Sequence, residues 1–371
     1  MKKFSNKTKI IILISIIFIA IIGLGLEIKL LVFNNDKVND SLDNKKTEEN
    51  NNIKTHNDEV LKLNLGNNQL QVDNTENPTI LFASDYQGYE RQNNARSILN
   101  KIKEVTIPNL LVFCGDYQEE SSDKFYNSEA GILEFSNIFN QTFNNNIPLL
   151  FVQGNHDITD AYGIAKSGMY ETSKYIVYVI NKDDYSNNQA GVSGGDSMIN
   201  QNKVDDQEEI VKNTSQKLQE TLQNLKENND KRPIFISTHV PLHYTNRNDG
   251  TDNKYAKYMV DVLNEYGKYL NIIYLYGHNH SGDYDDYIGG SINYIAKGNI
   301  IKIGGINVDT TINFTYLNAG YMGYSNNSIN EHSVNITSAT TITIDTDKLL
   351  IQKYTRYGKY YNNPISVELK K

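Results

Sequence analysis

Five short apolar runs in this 371-residue chain each stop at a polar cluster. TILFA (79–83) runs into SDYQG, NLLVF (109–113) into CGDYQ, and PLLFV (148–152) into QGNHD. PIFIS (233–237) runs into THVPLH and IIYLY (272–276) into GHNHSG. Apolar runs of this length with no alternation read as strands covered on both faces. Helical stripes lie between them. Ile98, Leu99, Ile102 and Val105 share a face of 94–105, and EAGILEFSNIFNQTF (129–143) is amphipathic. Segment 206–228 carries Ile210, Val211, Leu218, Leu222 and Leu225, and a further helix spans 255–270. The stretch from 153 to 205 reads as a polar excursion. Beyond Asp283 the pattern alternates, as in TTITIDTDKLLIQKYT (340–355), which predicts antiparallel hairpins with a turn near Asp347.

Alternating strands and helices give an α/β fold, and ligands gather outside the carboxyl ends of such strands. All five polar clusters can therefore converge on one rim. Five of the 7 histidines fall in them: His156, His239, His243, His278 and His280. With Asp85, Asp116, Asn155 and Asp157 the rim holds imidazoles, carboxylates and an amide. Mixed nitrogen and oxygen donors without thiolate suit divalent Mn, Fe, Zn or Mg. The single Cys114 excludes an intramolecular disulfide framework and Cys-rich zinc sites. A carboxylate such as Asp116, set after Gly115, can bridge two cations, and two metals about 3.5–4 Å apart can clamp a phosphoryl group for in-line displacement.

Each residue alone has a plainer reading. Asp85 and Asp116 could cap helices, Asn155 could be a turn residue beside Gly154, and His243 a hydrogen-bonded structural histidine. Tyr86, Tyr89 and Tyr117 lie near the motifs, but among 26 tyrosines ordinary packing is the expectation. The convergence carries the assignment.

The ordered series D-x-(H/Q), GD, GNHD, H and GHxH, from Asp85 to His280, resembles the calcineurin-like metallophosphoesterases. The resemblance implies a four-layer α/β fold, a central β-sandwich flanked by helices, that hydrolyses a phosphoester with a hydroxide held by two divalent metal ions. It implies that Asp85, Gln87, Asp116 and His280 hold one ion, and Asp116, Asn155, His239 and His278 the other. His156 would be catalytic, facing the scissile phosphate and protonating the leaving oxygen, with Asp157 orienting it. Such an acid helps most with poor leaving groups, so a phosphodiester is expected over a monoester. Gln87 stands where the family most often has histidine. Its neutral amide oxygen is a poorer donor to zinc, so Mn2+ is favoured, with Fe2+, Zn2+ or Mg2+ as alternatives. His243 matches no ligand position and stands as a candidate substrate-binding residue. The rival from another class is a non-catalytic phosphate-ligand sensor with a weakened metal site; intact GNHD and GHNH argue against it.

The N-terminus adds location. Lys2, Lys3, Lys7 and Lys9 precede an uncharged run from Ile10 to Leu26, at the lower end of the about 17–25 residues a spanning helix needs. No A-x-A cleavage site follows, so 1–33 is expected to be an uncleaved single-pass anchor, with secretion after signal cleavage as the alternative. The basic flank would stay cytoplasmic and the catalytic domain would be extracellular. Residues 34–77 are polar and read as a disordered stalk, and 78–371 as the catalytic domain. A net charge of -8 with no basic stripe argues against a nucleic-acid partner. The expected partners are the membrane, through the N-terminal segment, and a phosphorylated small molecule or cell-envelope substrate.

Overall fold

A strand such as LLVFC has no polar face to turn to water, so something must cover both of its sides. The computed structural model shows what does. It describes residues 75–87, 92–117, 128–143, 147–157, 163–184, 207–244, 254–279, 293–323 and 337–371. The expected anchor, the stalk up to residue 74 and the candidate ligand His280 lie outside the described residues.

The chain begins with β1 (Thr79–Ala83), α1 (Gln92–Lys103), β2 (Leu110–Cys114), α2 (Ser128–Thr142) and β3 (Leu149–Val152). It continues through β4 (Gly168–Glu171), β5 (Ile176–Ile180), α3 (Gln207–Glu227), β6 (Pro233–Thr238), α4 (Ala256–Tyr266) and β7 (Asn271–Tyr276). Short strands follow: β8 (Tyr294–Ile295), β9 (Ile300–Lys302), β10 (Asp309–Thr311), β11 (Thr315–Asn318) and β12 (Gly320–Tyr321). The end of the chain is β13 (Ser338–Asp345), β14 (Lys348–Thr355), β15 (Gly358–Lys359) and β16 (Ile365–Glu368).

β9 and β10 pair with each other as a separate ribbon, and the other strands make two large sheets. One runs β15-β14-β13-β1-β2-β3, with β12 beside β13 and β16 beside β14; the other runs β4-β5-β6-β7-β11-β8. Within them β1, β2 and β3 are mutually parallel, as are β5, β6, β7 and β11. The sheets pack face to face. Val112 and Cys114 of the first meet Val177, Val179, Phe235 and Leu275 of the second in one buried cluster. The next residues along β2, Leu111 and Phe113, point the other way and pack under α1 and α2 with Ile98, Leu99, Ile132 and Phe135. Helices α3 and α4 cover the second sheet through Leu218, Leu222, Met259 and Leu263. The result is a four-layer α/β fold. Helix α1 forms because Ala95, Ile98, Leu99 and Ile102 recur at helical spacing and are all fully buried.

The structure departs from the sequence reading at two places. Val105, expected on the buried stripe of α1, lies past its end and is 51% exposed. The expected polar excursion contains β5, whose IVYVI is entirely buried and pairs in parallel with β6. Flanking polar segments mask that run, and burial on both faces removes the alternation that would mark it. The hairpin expected near Asp347 is present as β13–β14, and β13 pairs with β1, completing the first sheet. Among the described residues no helix is long and apolar enough to cross a membrane.

Phe113 tests the packing between β2 and its helices. Its ring lies 4.6 Å from Phe135 and 5.0 Å from Tyr117, centroid to centroid, with no solvent exposure. Phe113→Ala should lower unfolding free energy by about 3–5 kcal/mol, read as a shifted denaturant midpoint at unchanged m-value. A loss below about 1 kcal/mol would contradict this packing.

Candidate metal centre

The polar clusters begin where β1, β2, β3, β6 and β7 stop, and at those ends the backbone turns sharply. Seven non-glycine residues in the described part have positive φ, and four of them are Asp85 (55°), Gln87 (47°), Asp116 (63°) and His278 (72°). Such conformations cost about 1–3 kcal/mol each and persist only where the surroundings enforce them. The enforcement is visible. The Asp85 N–H donates to the Gly115 carbonyl (2.9 Å) and the Gln87 N–H to the Asp116 carbonyl (2.9 Å), carrying the β1–β2 register past the strands. The Asn279 N–H donates back to the Gly277 carbonyl (2.8 Å), closing a γ-turn around His278. Gly277 permits this approach: a Cβ there would sit 1.8 Å from Ser84 Oγ and 2.8 Å from Asp85 Oδ2.

Asp157 fastens the loops. One carboxylate oxygen accepts from the Tyr117 N–H (2.9 Å), and the other from the Asp116 N–H (2.8 Å) and the Gly154 N–H (2.7 Å). Both oxygens are spent on backbone amides, not on the His156 ring. The expectation that Asp157 orients the imidazole directly gives way to a clamp on the two turns that carry Asp116 and His156.

Above this clamp the donors converge. One ligand atom each from Asp116, His239 and His278 lies within 4.8 Å of the others, and all three residues are buried. His239 Nε2 is 3.1 Å from Asp116 Oδ2 and 2.8 Å from Asn155 Oδ1. The same Asn155 oxygen lies 2.9 Å from His278 Nδ1. Asp85 joins by accepting the His278 N–H (3.0 Å), and Asp116 Oδ1 accepts the His156 N–H (3.0 Å). The His156 ring is the most open of these groups, its side chain 15% exposed with Nε2 4.0 Å from Asp116 Oδ2. Gln87 is buried beside Asp116 through its backbone. His243 is also buried, with Nδ1 2.8 Å from the Tyr316 hydroxyl and Nε2 3.0 Å from Asn279 Nδ2. Sequence reasoning missed Asn279 and Tyr316, because neither an amide between two histidines nor one tyrosine among many carries a signal.

The charges follow from this packing. Burial alone would strip the proton from His239, but the carboxylates of Asp116 and Asp85 outweigh it and raise the ring to about 10. Burial also works against the Asp116 carboxylate, yet His239 and His156 hold it well below the usual carboxylate range. For Asp157, burial and the Asp116 charge prevail over the amide donors and push the carboxyl up to about 6.

This donor set fits a cation. His239 Nδ1 lies 2.7 Å from the Cys114 carbonyl, which can only accept, so Nδ1 carries the hydrogen. The lone pair of the neutral ring then sits on Nε2 and faces two oxygens. Lone pairs converging in a buried place repel unless a positive charge lies among them. A proton meets that need in the bare chain, and a divalent ion meets it with donors that borderline metals accept.

The chain belongs to the calcineurin-like phosphoesterase family, whose profile matches residues 78–282. It is therefore a metal-dependent phosphoric ester hydrolase. No curated protein sequence matches it. Among solved structures, a dimetal phosphatase from Danio rerio shares 10% identity over 79% of this chain and 99% of its own, with a TM-score of 0.47. GAP50, the anchor in the inner membrane complex of Plasmodium, shares 12% identity over 80% and 90% of the two chains, at a TM-score of 0.44. A conserved uncharacterized protein of Streptococcus pneumoniae, described as a predicted phosphoesterase, shares 12% over 79% and 99%, at 0.31.

The clamp can be tested apart from catalysis. Asp157→Ala leaves three buried amides without an acceptor and should cost about 3 kcal/mol or more in a denaturant melt. Asp157→Asn keeps one acceptor oxygen and should cost less. An Ala variant as stable as the parent would contradict the clamp.

Proposed function

We propose that this chain hydrolyses phosphodiesters in preference to monoesters, outside the cytoplasmic membrane, with two divalent ions sharing Asp116. The observation that supports this most is the meeting of Asp116, His239 and His278 at the ends of β2, β6 and β7. Asp116, Asn155, His239 and His278 would hold one ion, and Asp85, Gln87, Asp116 and His280 the other. The ions would supply a water activated at neutral pH and a positive clamp on the phosphoryl oxygens.

The remaining chemistry belongs to side chains. His156 stands at the open edge of the cluster, the place from which Nε2 can give a proton to the departing oxygen. Loss of an alkoxide from a diester needs that proton more than loss of a stabilised leaving group does, hence the preference. Asp157 ties the turn that leads into His156, through the Gly154 amide, to the turn of Asp116, through the Asp116 amide. His239 is aimed by the Cys114 carbonyl, which fixes Nδ1 as the protonated nitrogen and leaves Nε2 for a ligand role.

Gln87 in place of an imidazole makes the first ion the weaker one and favours Mn2+ over zinc. Placement outside the membrane rests on the four-lysine flank and the uncharged run that follows it, and the substrate would then be a phosphorylated small molecule or envelope component. The net charge of -8 disfavours nucleic acid.

Turnover of bis(p-nitrophenyl) phosphate with a panel of cations tests the reading. Mn2+ should support the highest rate. His156→Ala should reduce kcat by about 10²–10⁴-fold for a dialkyl phosphodiester while Mn2+ still binds. It should cost far less with bis(p-nitrophenyl) phosphate, whose leaving group departs without a proton. Gln87→His should strengthen zinc at the weaker site. No turnover with any divalent ion would overturn the reaction; two equally tight zinc ions, unaffected by Gln87→Ala, would overturn the metal preference.

A further inference from the structure

His243 is a buried, titratable group that the reaction does not use, and it stands between two loops that carry candidate ligands. It ends the segment that follows β6 and begins with His239. Its backbone is held by a bridge to Ile303, and the Leu242 carbonyl accepts from the Gly304 N–H (2.9 Å). Its ring sits edge-on to Tyr276 (5.4 Å) and Tyr316 (5.8 Å), which stack on each other at 4.6 Å. The Leu242 N–H donates to the Tyr316 hydroxyl at 2.7 Å. Tyr276 is the last residue of β7, two positions before His278.

The far side of the ring reaches the other loop. Asn279 Nδ2 is a donor, so it donates to His243 Nε2 (3.0 Å), and Nδ1 carries its hydrogen to the Tyr316 hydroxyl (2.8 Å). Asn279 is itself the residue that closes the γ-turn around His278. The ring of His278 stands 5.2 Å from that of His239, edge to face. A chain of contacts therefore runs from the His239 loop through His243 to Asn279 and the strained turn.

We infer that His243 is a positioning residue: through Asn279 it locks the left-handed turn of His278 and fixes the spacing of His278 from His239, and so tunes how tightly this site holds its divalent ion. The inference rests on the proposed reading of Asp116, His239 and His278 as a metal site. It replaces the expected role of His243 as a substrate contact, since the ring is buried and its nitrogens are directed at Tyr316 and Asn279.

The test compares Mn2+ affinity, by calorimetric titration of the purified full chain, with kcat and KM for bis(p-nitrophenyl) phosphate. Asn279→Ala removes the link while leaving every proposed ligand and His243 in place; His243→Leu removes it from the other side. Both should weaken Mn2+ about 10–100-fold, lower kcat at limiting Mn2+, recover it at saturating Mn2+, and leave KM for the ester unchanged. His243→Gln, which keeps an acceptor for Asn279, should restore part of the affinity. If His243→Leu fails to fold, Asn279→Ala carries the result. A folded Asn279→Ala protein with parental Mn2+ affinity would overturn the inference. So would a raised KM with unchanged metal affinity in the His243 variants, which marks a substrate contact. A parent chain that binds Mn2+ but does not turn over defeats the proposed reaction and leaves the affinity comparison standing. One that binds no divalent ion defeats both.

Discussion

A carboxylate buried at the end of β2 sets the terms for everything around it. Taking such a charge out of water costs several kcal/mol unless partners replace the solvent. Asp116 has those partners on three sides: His239 Nε2 at 3.1 Å, the His156 N–H at 3.0 Å, and a main chain held by Asp157. Its neighbours are arranged for it in turn. The raised proton affinity of His239 and the raised carboxyl of Asp157 both trace partly to the Asp116 charge. A cation among these groups relieves all of them at once. That is the physical reason a hydrolase keeps so expensive an arrangement.

The fold exists to bring this about. Parallel strands in two facing sheets end at the same edge, so residues from β1, β2 and β3 meet residues from β6 and β7 without long loops having to carry them. Helices on the outer faces let β1, β2, β3, β5 and β7 be buried along their whole length. At the site, left-handed backbone lies in the turns beyond β1, β2 and β7, at Asp85, Gln87, Asp116 and His278, where backbone hydrogen bonds enforce it. Precision at the site thus comes from the sheets, and the direction of each side chain comes from the turns.

Much of this was legible in the sequence because the signal is local. An apolar run followed by GD or GNHD declares both a strand and what stands at its end. Helix α1 showed its buried stripe in Ile98, Leu99 and Ile102. What the sequence hid was of three kinds. β5 was masked because IVYVI lies among polar residues and its two-sided burial erases alternation. The clamp by Asp157 was misjudged, because adjacency to His156 suggests a ring partner while the carboxylate reaches amides forty residues away in sequence. The links from His243 to Asn279 and Tyr316 depend on side chains meeting across 36 and 73 positions, which no spacing rule encodes.

The central claim is that side chains from separate strands surround a pair of divalent ions that share Asp116. Anomalous diffraction from crystals grown with Mn2+ tests it most directly. Two peaks roughly 3.5–4 Å apart, both in contact with the Asp116 carboxylate and one of them with His239 and His278, are the predicted result. Manganese bound elsewhere, or none near Asp116 at saturating concentration, would contradict it.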